Sequence, residues 1–136
     1  MPDLRAFIVE DSPVIRDNLI AALEEMVPLK VVGFAENEID AVRWLSDKNN
    51  ACDLAIIDIF LRAGSGLGVL RSLKAYNVGI ERVVLTNYAS VDIRRQCLQL
   101  GASRVFDKSN EIDALIGYCL TLFDPLPDFR EKSPRA

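Results

Sequence analysis

Short apolar runs alternate five times with longer amphipathic segments along this chain of 136 residues. The runs have the length and composition of buried strands, and apolar residues recur at helical spacing in the segments between them. This alternation is typical of a parallel sheet that is covered by helices on both faces. The predicted strands are residues 4–9, 30–35, 53–58, 82–86 and 104–107, each followed by a helix.

The connections between these strands leave few topologies open, because crossovers between parallel strands are right-handed. The common arrangement of five strands has the order 2-1-3-4-5. It gives an α/β fold with a doubly wound parallel sheet in which strands 1 and 3 are neighbours. The carboxyl ends of these two strands then form a crevice, which is where open α/β sheets bind ligands.

Local signals predict where several helices begin and end. Ser12 can cap the first helix, and Pro13 fits its first position, where no N–H is needed. Gly101 suits the end of the fourth helix, and Asn110 is the expected cap of the fifth. The apolar residues of the first two helices that we expect to face the core are Val14, Ile15, Leu19, Ala22, Leu23, Met26, Ile39, Val42 and Leu45.

Acidic residues close two of the apolar runs, Glu10 and Asp11 after the first and Asp58 after the third. In the predicted topology these carboxylates meet at one edge of the sheet, on the same rim as Thr86 and Lys108 at the ends of strands 4 and 5. Three carboxylates suit a hard divalent cation, and one of them could accept a phosphoryl group. A simpler explanation is also open for the first pair, which could complement the dipole of the first helix.

Composition excludes several classes of function. The chain has 16 basic and 20 acidic residues, and its net charge of −4 argues against nucleic acid as the main partner. It has no histidine, which excludes His-based zinc sites, Ser-His-Asp triads and Cys-His dyads. Cys52, Cys97 and Cys119 form no Cys-x-x-Cys pair, and we expect reduced thiols in a cytoplasmic protein. No apolar stretch approaches the roughly 20 residues of a membrane span, so we expect no membrane association.

Taken together, the motifs at the strand ends resemble those of the receiver domain of bacterial two-component response regulators. The resemblance extends from about Leu4 to Phe123 and implies a flavodoxin-like, receiver-like fold for residues 1–124. The proline-containing residues 125–136 are expected to form a flexible tail. The matching motifs are Val9-Glu10-Asp11-Ser12, Ile57-Asp58, Gly66, Leu85-Thr86, Gly101-Ala102 and Asp107-Lys108.

The resemblance implies a role for each residue of the predicted rim. Asp58 is the expected phosphoacceptor, Thr86 is expected to bond a phosphoryl oxygen, and Lys108 to pair with the phosphoryl group. Phe60 and Tyr88 flank the path of the attacking water, and their rings are expected to slow self-dephosphorylation. The expected ligands of Mg²⁺ are Glu10, Asp11, Asp58 and the backbone carbonyl of Phe60.

Three positions differ from the commonest members of this family. Arg62 stands where a proline often follows the phosphoacceptor by four residues, and Ser109 stands where many members have a proline after the lysine. Val105 occupies a position that is usually Tyr or Phe, and strand alternation places Phe106 on the opposite face. We therefore expect aromatic rotation to be absent or replaced, with Tyr88 as the candidate replacement.

The resemblance predicts a stand-alone receiver that takes a phosphoryl group on Asp58 from a histidine kinase or phosphotransfer protein. Such a chain is a signalling protein, not an enzyme that turns over an external substrate. Its output would be either binding of a downstream protein at helix 4, strand 5 and helix 5 or transfer of the phosphoryl group to another protein. Arg94, Arg95 and Arg104 belong either to this docking face or to an ordinary solvated face. The alternatives are a pseudo-receiver that is never phosphorylated, a flavodoxin-like nucleotide binder and a small hydrolase. The acidic turn after strand 1 disfavours the nucleotide binder, because it lacks a Gly-rich phosphate loop.

Overall fold

The computed structural model describes residues 4–123, in which five strands and five helices alternate. The strands form one parallel sheet with the order β2-β1-β3-β4-β5, so the predicted doubly wound α/β topology is confirmed. The predicted tail, residues 125–136, lies outside the described residues. The strands are β1 (Leu4–Val9), β2 (Leu29–Ala35), β3 (Leu54–Ile57), β4 (Glu81–Thr86) and β5 (Arg104–Asp107).

Side-chain oxygens cap the first four helices by accepting a backbone N–H; the caps include the predicted Ser12, with Pro13 in the first turn. Gly101 follows the fourth helix with φ of +103°, as its predicted role requires. The fifth helix begins two residues after Asn110, so that predicted cap is wrong and Glu111 precedes the helix instead. The helices are α1 (Pro13–Met26), α2 (Glu38–Leu45), α3 (Gly66–Ala75), α4 (Val91–Gln99) and α5 (Ile112–Phe123).

The sheet divides the apolar core into two layers. One layer lies under α2, α3 and α4, and the other lies under α1 and α5. Val105 belongs to the first layer and Phe106 to the second, as strand alternation predicts. The ring of Phe106 packs near that of Tyr118 from α5, with 6.0 Å between the ring centroids. The aromatic side chain of β5 therefore lies on the face of the sheet opposite to α4.

The stripe of apolar residues that the first two helices bury is narrower than their patterns predict. Leu19, Leu23 and Leu45 are buried, and Ala22 and Val42 are half-buried. The prediction is wrong for four other residues, which lie in the first or last turn of their helix, where less of the neighbouring element covers them. These exposed residues are Val14, Ile15, Met26 and Ile39.

The register of the central strands brings the predicted rim together. Val9 pairs with Ile57, so the residues that follow β1 and β3 are neighbours at the carboxyl edge of the sheet. Thr86 pairs with Asp107, and the amide of Lys108 donates to the Thr86 carbonyl at 2.9 Å. No helix within residues 4–123 combines the length and apolar character that crossing a membrane requires.

Candidate functional site

Three carboxylates converge at the carboxyl edge of β1 and β3, as the sequence predicts. Glu10, Asp11 and Asp58 each offer one oxygen, and these oxygens lie within 4.8 Å of one another. Glu10 and Asp58 are only 3% and 7% exposed, whereas Asp11 is half-buried. The Ser12 amide donates to Glu10 Oε2 at 3.1 Å, so the start of α1 orients this carboxylate.

Lys108 places its ammonium between two of these acids. Its Nζ donates to Glu10 Oε1 at 2.7 Å and to Asp58 Oδ2 at 3.0 Å. Burial lowers the pKa of Lys108, but the two carboxylates outweigh it and the pKa lies above its usual range. Burial raises the pKa of Asp58, with Glu10 adding to this rise and Lys108 opposing it. The lysine offsets one of the three negative charges of the cluster.

Asp107 and Glu111 shape the turn that carries Lys108. The amide and hydroxyl of Ser109 donate to Asp107 Oδ1 at 2.8 and 2.5 Å. These bonds lower the pKa of Asp107. The Asp107 amide donates to Glu111 Oε1 at 2.7 Å, and the Glu111 amide donates back to the Asp107 carbonyl at 2.8 Å. A serine at position 109 supplies an N–H that a proline lacks, and this N–H helps to set the turn.

Thr86 is fully buried at the end of β4, where its carbonyl accepts the amide of Lys108. Its Oγ1 accepts a hydrogen bond from the Tyr88 amide at 3.3 Å, which ties the hydroxyl to the loop between β4 and α4. The rings of Phe60 and Tyr88 meet edge to face with centroids 5.0 Å apart, and both are at least half exposed. The two predicted rim aromatics therefore form one contact between the loops that follow β3 and β4.

Hydrogen bonds hold the loop between β3 and α3 at two places. The Arg62 amide donates to Asp11 Oδ2 at 2.7 Å, a bond that a proline at this position could not make. The Glu38 amide donates to the Ala63 carbonyl at 3.1 Å, and Ser65 returns a bond from its amide to Glu38 Oε1 at 3.0 Å. Sequence reasoning missed Glu38, although two glycines that its side chain approaches closely, Gly64 in the loop and Gly68 in the first turn of α3, signal such a contact.

The three arginines considered for a docking face have different surroundings. Arg94 is half-buried and bonded to backbone carbonyls and an acid of neighbouring elements. Arg95 is exposed and pairs with Asp92 on the same helix at 3.3 Å. Arg104 extends over the rings of Phe106 and of Tyr118 from α5, with its guanidinium carbon 5.0 and 5.1 Å from their centroids. Of the three, Arg95 is the one whose contacts stay within its own surface turn.

The donor set of the cluster fits a divalent cation. Its ligands would be carboxylate oxygens, which hard cations such as Mg²⁺ prefer, and Lys108 leaves a net negative charge to be offset. The fourth expected ligand, the Phe60 carbonyl, stays a prediction. The Gly66 amide donates to the carbonyl of Ile59, the residue before Phe60, at 2.8 Å, so the Phe60 carbonyl takes no part in this bond.

Comparison with known sequences agrees with this geometry. The profile of the response regulator receiver domain matches residues 6–119. The chain is 34% identical over 105 residues to a protein-glutamate methylesterase/protein-glutamine glutaminase of Treponema denticola, covering 75% of this chain and 27% of that protein. It is 26% identical over 105 residues to the response regulator UvrY of Escherichia coli, covering 77% of this chain and 47% of UvrY. The chain thus matches about a quarter to a half of the length of these relatives.

Solved structures share the fold. The receiver domain of Francisella response regulator 1452 superposes with a TM-score of 0.79 at 20% identity, covering 89% of this chain and 97% of that one. A complex of CheX, CheY, BeF₃ and Mg²⁺ from Borrelia burgdorferi superposes with a TM-score of 0.78 at 16% identity, covering 89% and 90%. With the profile match over most of its length, the chain belongs to the receiver domain family of two-component response regulators.

Proposed function

We propose that this receiver accepts a phosphoryl group on Asp58 from the phosphohistidine of a histidine kinase or phosphotransfer protein, in a reaction that requires Mg²⁺. The observation that carries this proposal is the convergence of Asp58 with Glu10, Asp11 and Lys108 at one sheet edge. Within it, Asp58 directly follows the central strand β3 and accepts a hydrogen bond from Lys108, which suits it to be the nucleophile.

In the transfer step an Asp58 oxygen attacks phosphorus. A phosphorus–oxygen bond forms as the phosphorus–nitrogen bond breaks, and the imidazole leaves with the bonding electrons and takes up a proton. Bound Mg²⁺ supplies positive charge against the negative charge that builds up on the phosphoryl oxygens. Glu10 and Asp11 would hold the ion together with Asp58 and the Phe60 carbonyl.

Lys108 and Thr86 would bind the transferred group. The ammonium of Lys108 already lies 3.0 Å from Asp58 Oδ2 and can pair with an added phosphoryl oxygen after a small rotation of its flexible stem. The Thr86 hydroxyl can donate a bond to a charged acceptor, worth about 1.5–3 kcal/mol. A bond of that size shifts a two-state equilibrium roughly tenfold to a hundredfold, so it can stabilise a distinct phosphorylated conformation.

The output of the phosphorylated receiver is proposed to be binding of a downstream protein at the face formed by α4, β5 and α5. Neither a nucleic acid nor a membrane is needed for this output, and the net charge of −4 makes nucleic acid a poor partner for the chain. Action without an attached output domain and a cytoplasmic location stay predictions.

The replacement Asp58→Asn is expected to abolish phosphorylation. With acetyl phosphate and Mg²⁺, wild-type protein should gain the mass of one phosphoryl group, because the carboxylate is the acceptor and the amide is not nucleophilic. Intact-mass spectrometry measures the gain. Asp47→Asn, which alters an exposed acid outside the site, is the matched control and should gain the same mass as wild type. A wild-type protein that takes no phosphoryl group from acetyl phosphate or from a histidine kinase supports the pseudo-receiver instead.

Removal of either rim ring is expected to speed loss of the phosphoryl group. Phe60 and Tyr88 pack together beside the acidic cluster, and their rings would screen the acyl phosphate from water. Wild-type phosphoprotein should keep its phosphoryl group well beyond seconds, and Tyr88→Ala should lose it several-fold faster. Phosphate release after removal of the donor measures the rate, with Tyr76→Ala, an exposed ring outside the site, as control. A wild-type half-life of only seconds would contradict this prediction.

A further inference from the structure

Arg94 donates hydrogen bonds to groups in three other parts of the fold. From α4, its Nε donates to the Ala89 carbonyl at 3.1 Å and its Nη1 to the Val105 carbonyl at 2.9 Å. Its Nη2 donates to Glu111 Oε1 at 3.3 Å, and both side chains of this pair are under 40% exposed. One planar guanidinium thus joins the loop before α4, the strand β5 and the start of α5.

Glu111, the acid that Arg94 bonds, also contacts the turn that carries Lys108. Glu111 Oε1 also accepts the Asp107 amide at 2.7 Å, so the same oxygen receives both Arg94 and the residue just before Lys108. The bond from the Asp107 amide, together with that from Arg94, lowers the pKa of Glu111. The orientation of the Lys108 backbone consequently depends on a carboxylate that Arg94 holds in place.

The Nε atom of Arg94 bonds the loop that follows Thr86. Ala89 directly follows Tyr88, whose amide donates to Thr86 Oγ1 at 3.3 Å. A Thr86 hydroxyl that turns to bond a phosphoryl group changes this bond, and the carbonyl that Arg94 holds belongs to Ala89, the next residue of the same loop. The loops of both proposed phosphoryl-binding residues therefore meet at Arg94, on the side of β5 where the sequence has Val105 and no aromatic ring.

We propose that Arg94 is a positioning residue of the phosphoryl site. Acting through Glu111 and Asp107, it fixes the turn from which Lys108 reaches Asp58, and acting through Ala89, it ties this turn to the loop of Thr86. Through the same bonds, a conformational change at the phosphoryl site reaches α4. This inference rests on the proposed function, because it concerns the residues that would bind the phosphoryl group.

The test uses BeF₃⁻ with Mg²⁺, a phosphoryl mimic, and follows its binding through the bound fluoride signals in ¹⁹F NMR. Arg94→Ala should weaken binding about tenfold, the effect of losing hydrogen bonds to a charged group. Arg94→Lys should weaken it less, since an ammonium keeps the charge but not the three-pronged geometry. Arg95→Ala, on the same helix, is the matched control and should bind within twofold of wild type, the margin expected of an exposed ion pair.

A purely structural role predicts a different outcome. It would lower the melting temperature of Arg94→Ala and leave BeF₃⁻ affinity unchanged well below that temperature. Glu111→Gln keeps an acceptor for the Asp107 amide, so its BeF₃⁻ affinity should lie between those of wild type and Arg94→Ala. If Arg94 and Glu111 act as one unit, the double variant Arg94→Ala with Glu111→Gln loses no more BeF₃⁻ affinity than Arg94→Ala alone. Should Arg94→Ala not fold, Arg94→Lys and Glu111→Gln decide the question, and wild-type affinity in both overturns the inference.

Hydrogen exchange separates this inference from the proposed function. In wild type, BeF₃⁻ should change exchange in residues 57–60 of the site and also in residues 86–99, whereas in Arg94→Ala the response of residues 91–99 should be lost. A wild-type response confined to residues 57–60 overturns the role of Arg94 and leaves the proposed function intact. Absence of any wild-type binding, together with absence of phosphorylation, overturns both.

Discussion

Replacement of Lys108 by alanine is expected to lower the free energy of unfolding by about 3 kcal/mol without Mg²⁺, because it leaves two buried carboxylates unpaired. The side chains of Glu10 and Asp58 are only 4% and 8% exposed, and the ammonium bonds both. Added Mg²⁺ should restore much of the loss, since a cation that binds only the folded protein stabilises it. The variant should therefore depend on Mg²⁺ for stability far more than wild type does.

Urea unfolding at neutral pH, with and without Mg²⁺, measures this effect. Lys74→Ala is the matched control, because its ammonium donates to the Gln99 carbonyl at the surface and should contribute about 0.5 kcal/mol or less. Adding Asp58→Asn to Lys108→Ala should recover part of the lost stability by removing one unpaired charge. Equal stability of Lys108→Ala and wild type in the absence of Mg²⁺ would show that the acids do not need the lysine.

Replacement of Gly66 by alanine is expected to impair both folding and phosphorylation. A Cβ at this position would lie 2.1 Å from the carbonyl oxygen of Asp58, the proposed phosphoacceptor, and 2.8 Å from Ile59 Cα, and both are backbone atoms that directly follow β3. Relief of this overlap requires a backbone shift, with a cost of about 2–3 kcal/mol in unfolding free energy. Because the shift displaces Asp58, the rate of phosphorylation by acetyl phosphate should fall roughly tenfold or more.

A second glycine provides the control for this prediction. Gly117 lies within α5, and among residues 4–123 a Cβ there would meet no atom within 4 Å beyond its chain neighbours and the backbone of its own helix. Gly117→Ala should therefore raise the free energy of unfolding by about 0.5–1 kcal/mol, through the helix propensity of alanine, without changing the phosphorylation rate. Urea unfolding and intact-mass time courses measure both quantities for both variants. A Gly66→Ala protein with the wild-type rate would contradict the contact between Gly66 and the Asp58 backbone.

Local patterns predicted the sheet well, because strands buried on both faces leave little ambiguity. Both ends of β1 and β5 agree with the predicted strands, β2 and β4 each begin one residue earlier, and β3 is one residue shorter at both ends. The acids at the strand ends could also be placed, since the register of parallel strands fixes where Glu10 and Asp58 meet. Predictions failed at helix ends such as Val14 and Ile39, where burial depends on how far a neighbouring element extends.

Long side chains that join distant elements were the part of the site that the sequence did not reveal. Arg94 had the appearance of a surface residue, because the three groups it bonds are five to 17 residues away along the chain. The carboxylate of Glu38 accepts the amide of Ser65, 27 residues away, for which no local spacing rule exists. Such contacts depend on helix orientation, and periodicity alone does not determine that orientation.

The bonds on the loop after β3 have an entropic consequence for the proposed phosphoryl transfer. Gly64 in this loop and Gly66 directly after it give the segment access to many backbone conformations when the chain is unfolded. Three hydrogen bonds with Asp11 and Glu38 hold this loop in one conformation. Ordering each residue costs about 1–2 kcal/mol of conformational entropy. That cost falls on folding, once per molecule, so each round of the proposed phosphoryl transfer can begin with an ordered loop.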